Sequence, residues 1–290
     1  MNTGTLCETR KSFKSKEIEI MNLFGWNNCP KEIKDQISKL NEALIERLGD
    51  NLLGTYIHGS LALQSFNPNS SDIDVIVLVN EKIDLDIRFQ LVEKLLILSN
   101  DPSPIEISFI TKDAIMPWKH PTPFELHSSE YWRERYEERV ALKDKSFWSE
   151  TPVDSDLACH LTLINKKGIC LHGLSIAEAF TDIPEADFRS SIVSGVGYAV
   201  SVLRTIPVYG ILTLCRVLSY LETGEILSKR EAEIWACSII PENLVYIVRS
   251  AVEVYEGSRS EMVEVNEDDM NDCVRLMQSS INTLFHRDVE

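Results

Sequence analysis

Two aspartates, Asp72 and Asp74, flank a single isoleucine at the head of an apolar run, Val75 to Val79. In an extended chain, residues two apart point to one face, so both carboxylates project together beside a stretch that must be buried. Like charges held so close repel, and a cation between them removes the cost. Magnesium takes one or two carboxylates and completes its shell with substrate phosphates, so it is the matching ion. Eleven residues separate Asp72 from Gly59-Ser60. There Gly59 permits close backbone approach, and Ser60 offers a hydroxyl at a strand-to-helix junction where N–H groups can hold phosphate. A third acid, Glu106, interrupts the otherwise apolar segment 105–110. Alone, the paired aspartates could be a solvated strand end and the glutamate edge protection. Together with the Gly-Ser turn they point to metal-assisted chemistry at a phosphate.

These groups need rigid elements to place them. Apolar residues at Ile33, Ile37, Leu40, Leu44 and Leu48 predict a helix ending near Gly49. Residues 52–58 read as a strand running into Gly59, 73–79 as a second strand, 85–98 as a helix and 105–110 as a third strand. That order is an α/β unit. From about residue 154 the spacing is helical almost throughout, with helices expected at 156–170, 186–203, 209–222, 229–237, 243–255 and 267–285. The seam falls at 143–154. The expected organisation is a loosely ordered segment over residues 1–20, a domain at 21–150 and a helical domain at 151–290.

The chain has 290 residues, 44% hydrophobic and 26% charged, enough to bury a sizeable core. Lys and Arg total 29 against 45 Asp and Glu, a formal charge of -16. Such a surface repels polyphosphate backbones, arguing against a nucleic-acid partner, and attracts cations. Seven scattered cysteines without a CxxC pair read as reduced thiols of a cytoplasmic protein. No apolar run approaches the roughly 18 residues a membrane span needs, and the basic N-terminus lacks the apolar core of a signal peptide. A monomer is expected.

The Gly-Ser pair, the spacer, Asp-x-Asp and the later strand glutamate resemble the polymerase-β-like nucleotidyltransferase superfamily. More narrowly, Tyr56-Ile-His-Gly-Ser60, Ser71-Asp-Ile-Asp74, Ile105-Glu-Ile-Ser108, Asp154-Ser-Asp-Leu-Ala158, Leu212-Thr-Leu-Cys-Arg216, the Thr223-Gly stretch to Lys229, and Ala251 to Gly257 resemble the aminoglycoside adenylyltransferases acting on streptomycin and spectinomycin. The resemblance implies an α+β fold: a nucleotidyltransferase domain with a mixed sheet, followed by a helical bundle. It implies Mg2+-dependent transfer of AMP from the co-substrate ATP to a hydroxyl of a small-molecule acceptor. Gly59, Ser60 and Ser71 would hold phosphates, Asp72 and Asp74 the metal, and Glu106 would be general base and third metal carboxylate. Asp156, Arg216, Lys229 and Tyr255 would complete the ATP site, and Tyr131 would line the acceptor cleft.

Each second-half position also has an ordinary reading. Asp156 could be a first-turn helix acid, Arg216 a structural ion pair and Tyr255 core packing, while Lys229 opens a helix where a cation is disfavoured unless an anion faces it. His127 and His160 read as core or interface histidines. One departure stands out. Streptomycin-modifying relatives carry acids just before the Leu-Thr-Leu helix, whereas residues 202–210 here hold no acid and one arginine. Spectinomycin is therefore favoured over streptomycin. The alternatives are a nucleotidyltransferase modifying a protein, one acting on another metabolite, or a nucleotide-binding module without turnover.

Overall fold

Segment 73–79 is apolar on both faces apart from Asp74, the pattern of a strand covered on both sides. A computed structural model describes residues 23–287 and places this strand mid-sheet. The segment 1–20 expected to be loosely ordered lies outside the described residues. The elements run α1 (Lys31–Leu48), β1 (Leu52–Ile57), α2 (Gly59–Ala62), β2 (Ile73–Val79), α3 (Leu85–Leu98), β3 (Ile105–Thr111), α4 (Lys112–Ile115), β4 (Thr122–Pro123), β5 (Leu126–Ser128), α5 (Arg133–Ala141), β6 (Val153–Asp154), α6 (Leu157–Lys167) and β7 (Ile169–Gly173). There follow α7 (Ile176–Ala179), α8 (Glu185–Ser201), α9 (Pro207–Thr223), α10 (Lys229–Ala236), α11 (Val245–Tyr255) and α12 (Glu267–Arg287).

The main sheet has the order β5-β3-β2-β1-β7. Strands β2 and β3 are parallel and the other neighbours antiparallel, so the sheet is mixed. Side-chain parity divides its two faces. Ile73, Val75, Val77 and Val79 pack with Ile105, Ile107 and Phe109 against α1 and α3. Ile76 and Leu78 pack with Tyr56 and Ile110 against Leu157, Leu161 and Ile164 of α6. Asp74 and Glu106 share the parity of the second set and so face the α6 side. A separate core joins α8 to α12 around α9, whose Ile211, Leu212, Leu214 and Cys215 are fully buried.

The helix expected at 156–170 is shorter than its apolar content suggested. Helix α6 stops at Lys167, with Gly168 at its C-cap. Residues 169–173 then pair antiparallel with β1. Ile169 and Leu171 pack against the first core while Cys170 and His172 point outward, a period of two that begins within the last two residues of the expected helix. The sheet thus takes an edge strand from beyond the 143–154 seam. Another short strand, β5, pairs with β3.

A buried ion pair fastens the stretch that leads out of the first half. Arg88 of α3 meets Glu125, both side chains being nearly inaccessible. Arg88 also donates to the carbonyls of Ile83 at 2.9 Å, Trp148 at 3.0 Å and Glu150 at 3.1 Å. Glu125 accepts from the Ile83 N–H at 3.1 Å. Arg88→Met would strand a buried carboxylate, so urea denaturation should show a loss of about 3–5 kcal/mol. A loss under about 1 kcal/mol would mean that Glu125 finds water there.

Candidate active site

Strand β2 and the turn before it present the aspartates, and β3 presents Glu106. The parallel register sets Asp74 directly beside Glu106. Gly59, at φ +60°, leaves no room for a side chain: a Cβ there would lie 1.7 Å from Asp74 Oδ2. The His58 N–H donates to the Asp74 carbonyl at 3.1 Å, and the Ser60 N–H supports the Asp74 carboxylate. The Gly-Ser turn and the second aspartate are therefore one packed unit, which explains the glycine better than general flexibility does. The Ser60 hydroxyl is buried and has no hydrogen-bond partner among the described residues.

The charges conflict in the unliganded arrangement. Burial pushes Asp72 and Asp74 up from ordinary aspartate values. For Asp72 the charge of Asp74 adds to the push, and Lys229 partly opposes it. Burial raises Glu106 to about 7, with Asp74 and Asp72 adding and His160 opposing. Three carboxylates held against their own solvation fit a cation. Among the described residues no three His, Cys, Asp or Glu side chains form a ready-made metal cage. An oxygen-only pair completed by substrate phosphates is the arrangement magnesium accepts.

Cations come from the helical half. Lys229, the first residue of α10, stands 4.2 Å over the Tyr255 ring behind a Ser228–Glu231 capping box. Burial and the neighbouring Arg216 lower Lys229 to about 8, against the pull of Asp74 and Asp72. Among the described residues Arg216 on α9 has no carboxylate within ion-pair distance, and its Nε is buried with no hydrogen-bond partner there. The structural ion pair considered for Arg216 is not formed. Two adjacent cations, an orphaned guanidinium N–H and the orphaned Ser60 hydroxyl make a suitable setting for an anion.

Asp156 precedes α6, and its carboxylate lies 3.4 Å from His160 Nε2 and accepts from Ser191 Oγ at 3.1 Å. Burial alone would lower His160. The hydrogen bond and charge of Asp156, with Glu106 and Asp74 behind, instead raise it to about 9. The same charges hold His160 toward its protonated form beside Glu106 and Asp74, while its ring packs 4.8 Å from that of His58, so it is an interior histidine, as expected, that also faces the carboxylates. The i, i+4 spacing from Asp156 was the available signal. His127 bonds Ser108 Oγ at 2.9 Å, and burial lowers it to about 4, so it is a neutral packed histidine. Tyr255 is 5% exposed and donates its hydroxyl to the Ser65 carbonyl at 2.9 Å. Ser71 Oγ lies 3.2 Å from that hydroxyl. Tyr131 is 82% exposed, edge-on to Trp132 with ring centres 5.3 Å apart.

Paired carboxylates on adjacent parallel strands, faced by a lysine and an arginine from a helical bundle, define a nucleotidyltransferase. Residues 37–145 match the nucleotidyltransferase domain family, and residues 178–280 match the aminoglycoside adenylyltransferase C-terminal domain family. A spectinomycin 9-adenylyltransferase of Enterococcus faecalis is 30% identical over 202 residues, covering 67% of this chain and 76% of that protein. One from Staphylococcus aureus is 27% identical over 258 residues, 87% and 96% of the two chains. An aminoglycoside (3'') (9) adenylyltransferase of Escherichia coli is 24% identical over 262 residues, 86% and 95%. The crystal structure of the spectinomycin adenyltransferase AAD(9) of Enterococcus faecalis with ATP and spectinomycin superposes with a TM-score of 0.74 at 26% identity, over 86% of this chain and 99% of that one. The chain belongs to the aminoglycoside adenylyltransferase family.

Proposed function

We propose that this enzyme transfers AMP from ATP to a hydroxyl of a spectinomycin-type aminocyclitol, releasing pyrophosphate. The observation that carries the reading is the register of Asp74 beside Glu106, with Lys229 and Arg216 supplied from the other half of the chain. Glu106 accepts the proton of the attacking hydroxyl, whose oxygen bonds to the α-phosphorus as the bond to the β-phosphate breaks. Lys229 and Arg216 meet the charge that develops on the leaving pyrophosphate. Gly59, Ser60 and Ser71 cradle phosphate oxygens. Magnesium, held by Asp72 and Asp74 with Glu106 as third carboxylate, would supply charge neutralisation and polarise the phosphoryl group. Asp156 belongs to the nucleotide site through its pairing with His160, Tyr255 through its ring beneath Lys229, and exposed Tyr131 is assigned to the acceptor cleft.

The acceptor preference rests on residues 202–210. They contain no carboxylate, and their one arginine, Arg204, is paired with Glu267 at 2.7 Å. A polycation such as streptomycin would lose two charge-assisted contacts of about 1.5–3 kcal/mol each, a discrimination of roughly a hundredfold or more. A sensitive host expressing the chain should grow on spectinomycin, fail on streptomycin, and lose protection with an Asp74→Ala variant. Labelled ATP should mark the drug alone. Label appearing on lysate protein, or protection against neither drug, would sink the acceptor assignment.

Six free cysteines among the described residues support a reducing, cytoplasmic setting. No helix among the described residues is long and apolar enough to cross a membrane. The net charge weighs against a nucleic-acid partner.

A further inference from the structure

The turn between Ser60 and Asp72 is organised by Asn67, a side chain 3% exposed. Every polar atom of Asn67 is engaged. Its carbonyl accepts from the N–H groups of Ser70 at 3.1 Å and Ser71 at 2.8 Å. Its own N–H donates to Ser71 Oγ at 3.0 Å, and its Oδ1 accepts from the Asn69 N–H at 3.0 Å. The remaining donor, Nδ2, reaches across the molecule to the Tyr255 carbonyl at the end of α11. Ser70 Oγ donates to the same carbonyl at 3.4 Å. The Tyr255 hydroxyl returns to the turn at the Ser65 carbonyl and at Ser71 Oγ, closing a ring of hydrogen bonds.

Two functional groups hang on this ring. Ser71 immediately precedes Asp72, and the Tyr255 face carries the Lys229 ammonium at 4.2 Å. These groups come from opposite halves of the chain, and a triphosphate bound between them depends on their separation. We propose that Asn67 is a positioning residue, which sets the metal-side Ser71–Asp72 segment against the phosphate-side Tyr255–Lys229 pair. It acts through those groups, because the side chain is 3% exposed and each of its polar atoms already holds a partner within the protein. The inference rests on the assignment of Asp72 and Lys229 to the nucleotide.

Two variants test it, Asn67→Ala and Tyr255→Phe, the latter keeping the ring beneath Lys229. Each is assayed well below its melting temperature, by titration calorimetry with ATP and magnesium and by steady-state kinetics with spectinomycin. Asn67→Ala should weaken ATP binding and raise the ATP KM about tenfold, while the spectinomycin KM at saturating ATP moves less than about twofold. The double variant should lose little more than the worse single one, because both cut the same ring. Unchanged ATP affinity in a folded Asn67→Ala protein would overturn the proposal, whatever its melting temperature. Should Asn67→Ala fail to fold, Asn67→Asp, which keeps Oδ1 and loses only the donor to the Tyr255 carbonyl, takes its place, and unchanged ATP affinity in it overturns the proposal equally. A wild-type protein that binds no ATP with magnesium would instead refute the nucleotide reading itself, so the two failures are distinguishable.

Discussion

Replacing Asp74 by alanine is expected to lower AMP transfer by roughly three to four orders of magnitude, the several kcal/mol that a polarising metal ion supplies. Asp74 is the carboxylate most tightly built in. Gly59 lies against its oxygen, the Ser60 N–H supports it, and Glu106 sits beside it in the sheet. The same variant should not be less stable than wild type. Burial raises the Asp74 pKa, so ionising it costs more in the folded chain than in the unfolded one, an opposition to folding that sets in as pH rises past the ordinary aspartate value and levels off above the folded one. Removing the charge relieves it, the pattern of a site that trades stability for function. Single-turnover transfer of labelled AMP, read beside thermal melting without nucleotide, checks both halves. Activity within tenfold of wild type would remove Asp74 from the metal site. Lost activity with a sharply lowered melting temperature would mean that Asp74 is mainly structural.

The acids were legible because period-two parity and apolar neighbours constrain a strand residue strongly. Asp74 and Glu106 needed only the assumption that their strands are adjacent, and the parallel register meets it. Lys229 was legible as a cation misplaced at a helix start, and Tyr255 is placed by the same packing that seats that lysine. What escaped was set by contacts distant in sequence. Strand β7 has only five residues, and its first two fall within the helix expected at 156–170, although Lys166-Lys167-Gly168 marks that helix's end. Asn67 carries no signal of its own in the sequence, because its defining partner lies 188 positions away. His160 reads as packing alone, which a histidine on an apolar helix usually is. Only the fold brings Glu106 and Asp74 to the same face as the Asp156–His160 pair.

Glu106 carries the second large effect. Glu106→Gln keeps the shape of the side chain and removes the base, and should slow transfer about 10²–10⁴-fold. The pH profile separates this role from simple crowding. A general base works ionised, so activity must rise with pH through the Glu106 pKa, which burial places at about 7 in the unliganded protein. A divalent cation between the carboxylates favours the charged form, so with saturating magnesium the acid limb of kcat/KM should fall below 7. Lowering magnesium should carry the limb back toward 7. His160 acts in the same direction as the metal, since its imidazolium opposes the push from Asp74, Asp72 and Asp156 on Glu106. His160→Gln should therefore move the limb to higher pH without abolishing turnover, whereas Glu106→Gln should erase the limb. An acid limb that survives unchanged in Glu106→Gln would assign the titration to another group and remove Glu106 as the base. A limb indifferent to magnesium would separate the base from the metal site and leave Asp72 and Asp74 to hold the ion alone.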